Sequence, residues 1–179
     1  NLCGRLPLAL GIAGRLAASL GLVDTGDWGG MLAVLSEELH ESSGGTEEGM
    51  IRASLRGLKG SAREQANVKN MLLLFALVPE DTHCPLECLE LMFEAVNPGS
   101  GATMMHIRKW LKTLVDRSLV LGTVDRPSVH DLVLDFVVAQ HSKEELRAKH
   151  CGVVNAFREA RPTDIRGRRM FDRPSMHTS

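Results

Sequence analysis

A histidine and an aspartate stand side by side where a polar turn gives way to an apolar run. They are His130 and Asp131, in the segment VDRPSVHDLVLDF, residues 124–136. The run predicts a helix from His130 to about Ala139, so both side chains fall at its N-terminus. A helix N-terminus needs only one polar side chain as its cap. The other side chain is therefore available for a second role.

Cysteine and histidine also cluster at His83, Cys84 and Cys88, with His106 as a further candidate ligand, and such side chains can bind zinc. The three-residue gap between the two cysteines puts both on one helical face, and no second cysteine pair follows. We therefore predict no metal site and expect buried thiols. A nucleophilic pair formed by His150 and Cys151 is disfavoured, because adjacent helical residues point about 100° apart.

The composition favours a helical protein without a polyanionic partner. Hydrophobic residues make up 44% of the chain, but tyrosine is absent and aromatic residues total 4%, so Leu, Val, Ala and Met must form the core. The net charge is -1, with 21 basic and 22 acidic residues. Four cysteines without a dense paired framework favour reduced thiols and a cytoplasmic setting. No apolar run approaches the ~20 residues of a membrane helix.

Three amphipathic helices are predicted in the first part of the chain. Pro7 suits the first turn of a helix that ends near residue 20, with Leu10 and Ala13 on its apolar face. Asp27 can cap a second helix, which has apolar residues at positions 28, 31, 32, 35 and 39. A third helix follows the polar HESSGGT break and ends near Gly60. Together they predict a small helical bundle over residues 1–60.

The next part predicts three helices and a hairpin. The first helix is apolar nearly all round and is halted by Pro79; the second starts at Pro85 and the third centres on Trp110. SLVLGTV favours a strand, DRP a turn and SV a short return strand. Helix, helix, helix and hairpin predict a winged helix over residues 61–141. A linking helix at 142–160 and a linker or disordered tail at 161–179 complete the expected fold, which is mainly α.

A winged helix raises the alternative of DNA binding. Its third helix would carry Arg108, Lys109 and Lys112, which could contact phosphates. The hairpin adds only Arg126, and acidic residues elsewhere cancel the charge. A solvated helix face is the commoner origin of three such cations, so we do not expect nucleic acid as a partner.

Three separated motifs resemble the NB-ARC family of signal-transduction ATPases, which includes plant disease-resistance proteins and animal apoptotic adaptors. CGRLPLAL, residues 3–10, resembles the family's Gly-x-Leu-Pro-Leu-Ala-Leu motif. FALVPED, residues 75–81, is similar to an element of its winged-helix domain. SVHDLVLDF, residues 128–136, is similar to its Met-His-Asp motif, with Val129 in the Met position, and LVDRSLV, residues 114–120, fits the same domain.

The resemblance implies a role for each matching residue. Pro7 and Leu8 would lie against the adenine of a bound nucleotide, because a proline ring offers a rigid apolar surface without an N–H. His130 would hydrogen-bond a phosphate of ADP, and Asp131 would cap and orient the helix start. The site residues implied are therefore Pro7, Leu8 and His130, with Asp131 in support.

The chain departs from the family in what it lacks. It contains no Gly-x-x-x-x-Gly-Lys-Ser/Thr phosphate loop and no apolar strand ending in paired Asp residues for Mg²⁺. It also begins at Asn1 without Met, so we expect a piece of a longer protein whose upstream domain completes the ADP or ATP site. We predict no ATPase activity and weak nucleotide affinity for these residues alone.

The implied function is the C-terminal portion of an NB-ARC nucleotide switch in defence or apoptosis-like signalling. It would help to bind ADP and hold the closed, inactive state, and exchange for ATP would release the contact made by His130. The implied partners are an upstream nucleotide-binding domain and a downstream repeat or sensor domain, with homo-oligomerisation on activation. The alternative is a nucleotide-free scaffold for protein interactions.

Overall fold

The computed structural model describes residues 7–19, 21–22, 26, 28–41, 45–79 and 84–160. Within these residues the chain is mainly α, with one antiparallel hairpin, as the sequence predicts. The elements in chain order are α1 (Pro7–Ser19), α2 (Trp28–Glu41), α3 (Thr46–Arg56), α4 (Ala62–Phe75), α5 (Leu86–Val96), α6 (Met104–Asp116), β1 (Leu121–Thr123), β2 (Arg126–Ser128), α7 (Asp131–Ala139) and α8 (Lys143–Glu159). The expected cap Asp27 and the tail at 161–179 lie outside the described residues.

Helices α1 and α2 both pack against α3. Pro7 is the first residue of α1, where the missing N–H removes no helical hydrogen bond. The buried face of α1 consists of Ala9, Ile12, Ala13, Leu16 and Ala17. Leu10 is 53% exposed, so its expected place on the buried face is wrong. The buried positions recur at helical spacing, and Leu10 falls outside the face that they define.

Helix α4 is the central element and contacts α5, α6 and α7. The Ser61 hydroxyl caps it by accepting a hydrogen bond from the Glu64 backbone N–H at 3.3 Å. Every residue from Met71 to Phe75 is buried, as the continuous apolar run predicts. The helix ends at Phe75, four residues before Pro79. The order α4, α5, α6 and hairpin is the one predicted for a winged helix.

The hairpin pairs Leu121 with Ser128, Gly122 with Pro127 and Thr123 with Arg126. Its turn is therefore Val124–Asp125, and the expectation that Asp125, Arg126 and Pro127 form the turn is wrong for the last two. Both belong to β2. Proline is tolerated there because a two-stranded hairpin leaves one side of each strand unpaired.

Helix α8 packs against α5. Val153 is buried in this contact, and a side chain at Gly152 would meet the Ala95 carbonyl at 3.6 Å. The expected linking helix is therefore part of the packed structure. One hydrophobic cluster extends from Ala9 in α1 to Val153 in α8, and the division into domains at residue 60 stays a prediction. In the described part of the chain, no helix has the length and apolar character to cross a membrane.

Candidate functional site

The first turns of three helices meet the hairpin around one pocket. The pocket has a volume of about 370 Å³, and it is lined by Pro7, Leu8, Glu47, Leu121, His130 and Leu132. Helix α1 supplies Pro7 and Leu8, the start of α3 supplies Glu47, and β1 supplies Leu121. The start of α7 supplies His130 and Leu132. We call this cavity the Pro7–His130 pocket. It brings together three of the residues singled out by the sequence, Pro7, Leu8 and His130, from motifs far apart in the chain.

His130 is the N-cap of α7. Its backbone is extended, with φ -73° and ψ 141°, and its Nδ1 accepts a hydrogen bond from the Leu132 backbone N–H at 3.2 Å. A ring nitrogen can accept only when it carries no proton, so the capping ring is the neutral Nε2–H tautomer. The ring therefore keeps one N–H donor that the cap does not use.

Asp131 does not have the capping role that was expected of it. It is the first residue of α7 and is exposed, and the cap is the imidazole before it. The reason is position. An N-cap residue has extended backbone and lies immediately before the helix, so its side chain can reach the N–H of the second helical residue. The Asp131 carboxylate lies in the first turn, where its charge is favourable beside the helix dipole.

The walls of the Pro7–His130 pocket are mostly apolar. Leu8 is half-buried, whereas Leu121 and Leu132 are each 41% exposed at the rim. Glu47 is the one carboxylate among the lining residues, and none of the lining residues is a lysine or arginine. The sequence interpretation missed Glu47, Leu121 and Leu132. Only the acidic start of α3 gave a signal, and that signal predicted a helix terminus rather than a pocket wall.

A buried arginine joins the end of α6 to α3, the helix that also supplies Glu47 to the pocket. Arg117, at the end of α6, is 5% exposed; its Nη1 donates to the Ser54 carbonyl at 2.7 Å and its Nη2 to the Gly57 carbonyl at 2.5 Å. Both acceptors belong to the C-terminal end of α3, where the helix dipole is negative. Burial lowers the pKa of the Arg117 guanidinium from its ordinary value. The sequence interpretation gave this residue no role.

The cysteine and histidine candidates form no metal site in the described residues. Cys84 is buried, its Sγ lies 3.8 Å from the Met92 Sδ, and burial raises the pKa of its thiol to about 11. A thiol with a raised pKa is a poor nucleophile and a poor metal ligand at neutral pH. His83 lies outside the described residues.

The three cations of α6 are each paired with a carboxylate. Arg108 Nη2 lies 2.8 Å from Asp125 Oδ1 in the hairpin turn, and Lys112 Nζ lies 2.7 Å from Asp116 Oδ2. Lys109 pairs with Glu64 of α4. A phosphate backbone would have to displace these carboxylates, so the pairing weighs against α6 as a nucleic-acid interface.

No protein-family model, no curated protein and no solved structure matches the chain. The resemblance to NB-ARC proteins therefore stays a prediction that rests on the quoted motifs.

Proposed function

We propose that the chain is the C-terminal portion of an NB-ARC-type nucleotide switch, which helps to bind ADP and to hold a closed, inactive state. The observation that carries the proposal is that Pro7 and Leu8 line the same pocket as His130. Pro7 and Leu8 belong to one motif and His130 to another, and the family resemblance implies the same ligand for both. A volume of about 370 Å³ lies at the lower end of the range typical of ligand pockets.

The chemistry of the walls suits one side of a nucleoside diphosphate. Pro7 and Leu8 offer an apolar surface for a purine ring. The Nε2–H of His130 can donate to a phosphate oxygen while Nδ1 keeps its capping bond. Glu47 can accept from ribose hydroxyls or from the exocyclic amino group of adenine, which are donors, and it would repel a phosphate.

The pocket by itself would hold a diphosphate weakly. Its lining includes no lysine or arginine to balance the phosphate charge, so the cation and the Mg²⁺ have to come from an upstream nucleotide-binding domain. In the proposed switch, ADP links that domain to the start of α7. Exchange for ATP removes the His130 contact and biases the molecule towards an open arrangement. The open arrangement would then assemble with other copies and with a downstream sensor domain.

The test uses the intact protein that includes the upstream domain. His130→Ala should reduce the ADP that co-purifies with it and raise basal signalling, because the phosphate loses a donor. His130→Asn is the matched variant, since asparagine caps a helix well but does not reproduce the imidazole Nε2–H. It should lose ADP as His130→Ala does. ADP occupancy equal to wild type in both variants would contradict the proposal.

One observation favours the nucleotide-free scaffold as the second candidate. Trp28 and Leu32 on α2 are each 49% exposed, and large apolar side chains on one helix face are typical of protein contacts. The two candidates differ in the ligand content of the folded intact protein. Nucleotide released on denaturation favours the switch, and a folded protein without nucleotide favours the scaffold.

A further inference from the structure

A second pocket lies where α3, α4 and α7 meet, and the proposed function makes no use of it. Its volume is about 480 Å³, larger than that of the Pro7–His130 pocket. The residues that matter for its chemistry are Arg52, Arg56, Lys69, Leu72, Phe136 and His141. We call it the basic pocket. None of the residues that line it is an aspartate or glutamate.

The basic pocket concentrates positive charge in a chain whose net charge is -1. Two carboxylates outside the lining contact Arg52 and His141. Glu48 Oε1 lies 2.5 Å from Arg52 Nη2, and Glu145 Oε2 lies 3.1 Å from His141 Nδ1. Arg56 has an interaction elsewhere in the chain. Lys69 forms no ion pair or hydrogen bond with the described residues, so its charge is available to a ligand.

Arg52 carries a buried donor beside the pocket. Its Nε–H is buried and has no acceptor among the described residues. A buried donor without a partner costs on the order of 1–3 kcal/mol, and native structures rarely retain one. The guanidinium also lies 6.0 Å from the centroid of the Phe136 ring. This distance permits a cation–π contact, which holds the group beside the ring. Because Nε is shielded from the cavity, an anion in the pocket would accept from the other N–H groups of the Arg52 guanidinium.

The lining has an apolar part as well as a cationic part. Leu72 is buried and Phe136 is 9% exposed, and both line the same cavity as Arg52 and Lys69. A ligand that satisfies both parts carries a compact, multiply charged anion and an apolar group. A phosphate monoester carries about -1.5 to -2 charges at neutral pH and three acceptor oxygens. Cations from two different helices can share these oxygens, whereas a carboxylate has only two.

We propose that the basic pocket binds a small organic phosphate, with its phosphate between Arg52 and Lys69 and its apolar group against Phe136. The bound anion would join α3, α4 and α7. Helix α3 also carries Glu47, and α7 carries His130, so the same ligand would brace two walls of the Pro7–His130 pocket. Binding at the basic pocket stands independently of whether the first pocket takes a nucleotide.

The test is an NMR titration of the 179-residue chain, with three probes. Phenyl phosphate supplies both parts of the ligand, inorganic phosphate supplies only the charge, and phenol supplies only the ring. We expect saturable shifts around Lys69 and Phe136 with phenyl phosphate, and weaker binding of the other two probes. Absence of saturable shifts with phenyl phosphate would overturn the proposal. Inorganic phosphate binding as tightly would overturn the assignment of an organic ligand.

Two single-residue variants test whether Lys69 belongs to the binding site. Lys69 is exposed, so Lys69→Gln should fold normally, and it should weaken phenyl phosphate binding about tenfold, the loss expected for one charge-assisted hydrogen bond. Lys112→Gln removes the same charge from α6, outside the pocket, and should bind like wild type. Equal weakening by both variants would show only a general charge effect and would overturn the proposal.

Discussion

His130 uses the two nitrogens of one ring for different purposes. Nδ1 accepts from the backbone of α7, and this hydrogen bond leaves the proton on Nε2. The cap therefore sets the tautomer that a phosphate contact needs. A carboxylate at the same position could cap the helix but could not donate to an anion. In the proposed switch, the imidazole would therefore serve both purposes.

The cap predicts a stability effect that does not depend on any ligand. His130→Ala should lower the free energy of unfolding of the chain by about 1 kcal/mol, the usual loss for an N-cap, measured by urea denaturation. His130→Asn should keep the wild-type free energy of unfolding, because asparagine is among the best N-caps. If the alanine variant has the wild-type urea midpoint, the capping hydrogen bond does not contribute to the free energy of unfolding.

Arg117 predicts a larger effect. Arg117→Ala leaves the Ser54 and Gly57 carbonyls without their donor and should lower the free energy of unfolding by about 3 kcal/mol, since hydrogen bonds to a charged group contribute on the order of 1.5–3 kcal/mol each. Arg126→Ala is the control, because Arg126 is exposed in β2 and its loss should stay within about 0.5 kcal/mol. Similar urea midpoints for the two variants would contradict the role of Arg117 in joining α3 to α6.

At the scale of elements, the hairpin depends on one backbone position. Gly122 has φ +79°, and a Cβ there would meet the Arg126 carbonyl oxygen at 2.3 Å. The strands cannot keep their register around a side chain at this distance. The hairpin turn is also tied to α6 by the ion pair between Asp125 and Arg108, so an opened hairpin would lose that contact as well.

Gly122→Ala should therefore lower the free energy of unfolding by about 1–3 kcal/mol. Gly14→Ala is the opposite case, because Gly14 lies inside α1 and a Cβ there meets nothing within 4 Å. That variant should gain up to about 1 kcal/mol from helix propensity. Thermal melts of both chains measure the difference. Equal melting temperatures would show that the hairpin adapts to the side chain.

The loop between α5 and α6 predicts a pH dependence. The Glu94 carboxylate accepts from the Ser100 hydroxyl and from the Gly99 backbone N–H, each at 2.7 Å, and these hydrogen bonds lower the pKa of Glu94 from its ordinary value of 4.5. A lowered carboxyl pKa stabilises the fold above the unfolded value, and this contribution is lost as pH falls through the folded value. Glu94→Gln should thus melt below wild type at pH 7, with the gap closing in acid. A gap independent of pH would exclude the carboxylate as its cause.

At the scale of the whole molecule, α8 belongs to the packed structure. A chain that ends at residue 142 should lose about 2 kcal/mol or more of unfolding free energy, because Val153 alone buries an apolar side chain against α5. A chain that ends at residue 160 keeps α8 and is the reference for this comparison, measured by urea denaturation. If removal of α8 has no effect, the helix does not stabilise the rest of the chain.

Hydrophobic periodicity predicted most of the helices. The starts of α1 and α5 follow from Pro7 and Pro85, which act within one turn of the chain, whereas the Ser61 cap of α4 was not predicted. The errors of the sequence prediction have a common origin. The surface that each element packs against decides the direction of Leu10, the turn position in the hairpin and the packing of α8. The local sequence pattern contains no information about that surface.

For the candidate site, the sequence by itself determined which residue types stand at helix starts: Pro7 and Leu8 on α1, and His130 on α7. Tertiary structure decided that these starts face one pocket, that Glu47 joins them and that His130 rather than Asp131 is the cap. It also decided that Arg117 is buried and that Arg52 and Lys69 share a second cavity. The physical reason is range, since caps and turns depend on neighbouring residues, whereas pockets and buried charges form only where distant elements pack.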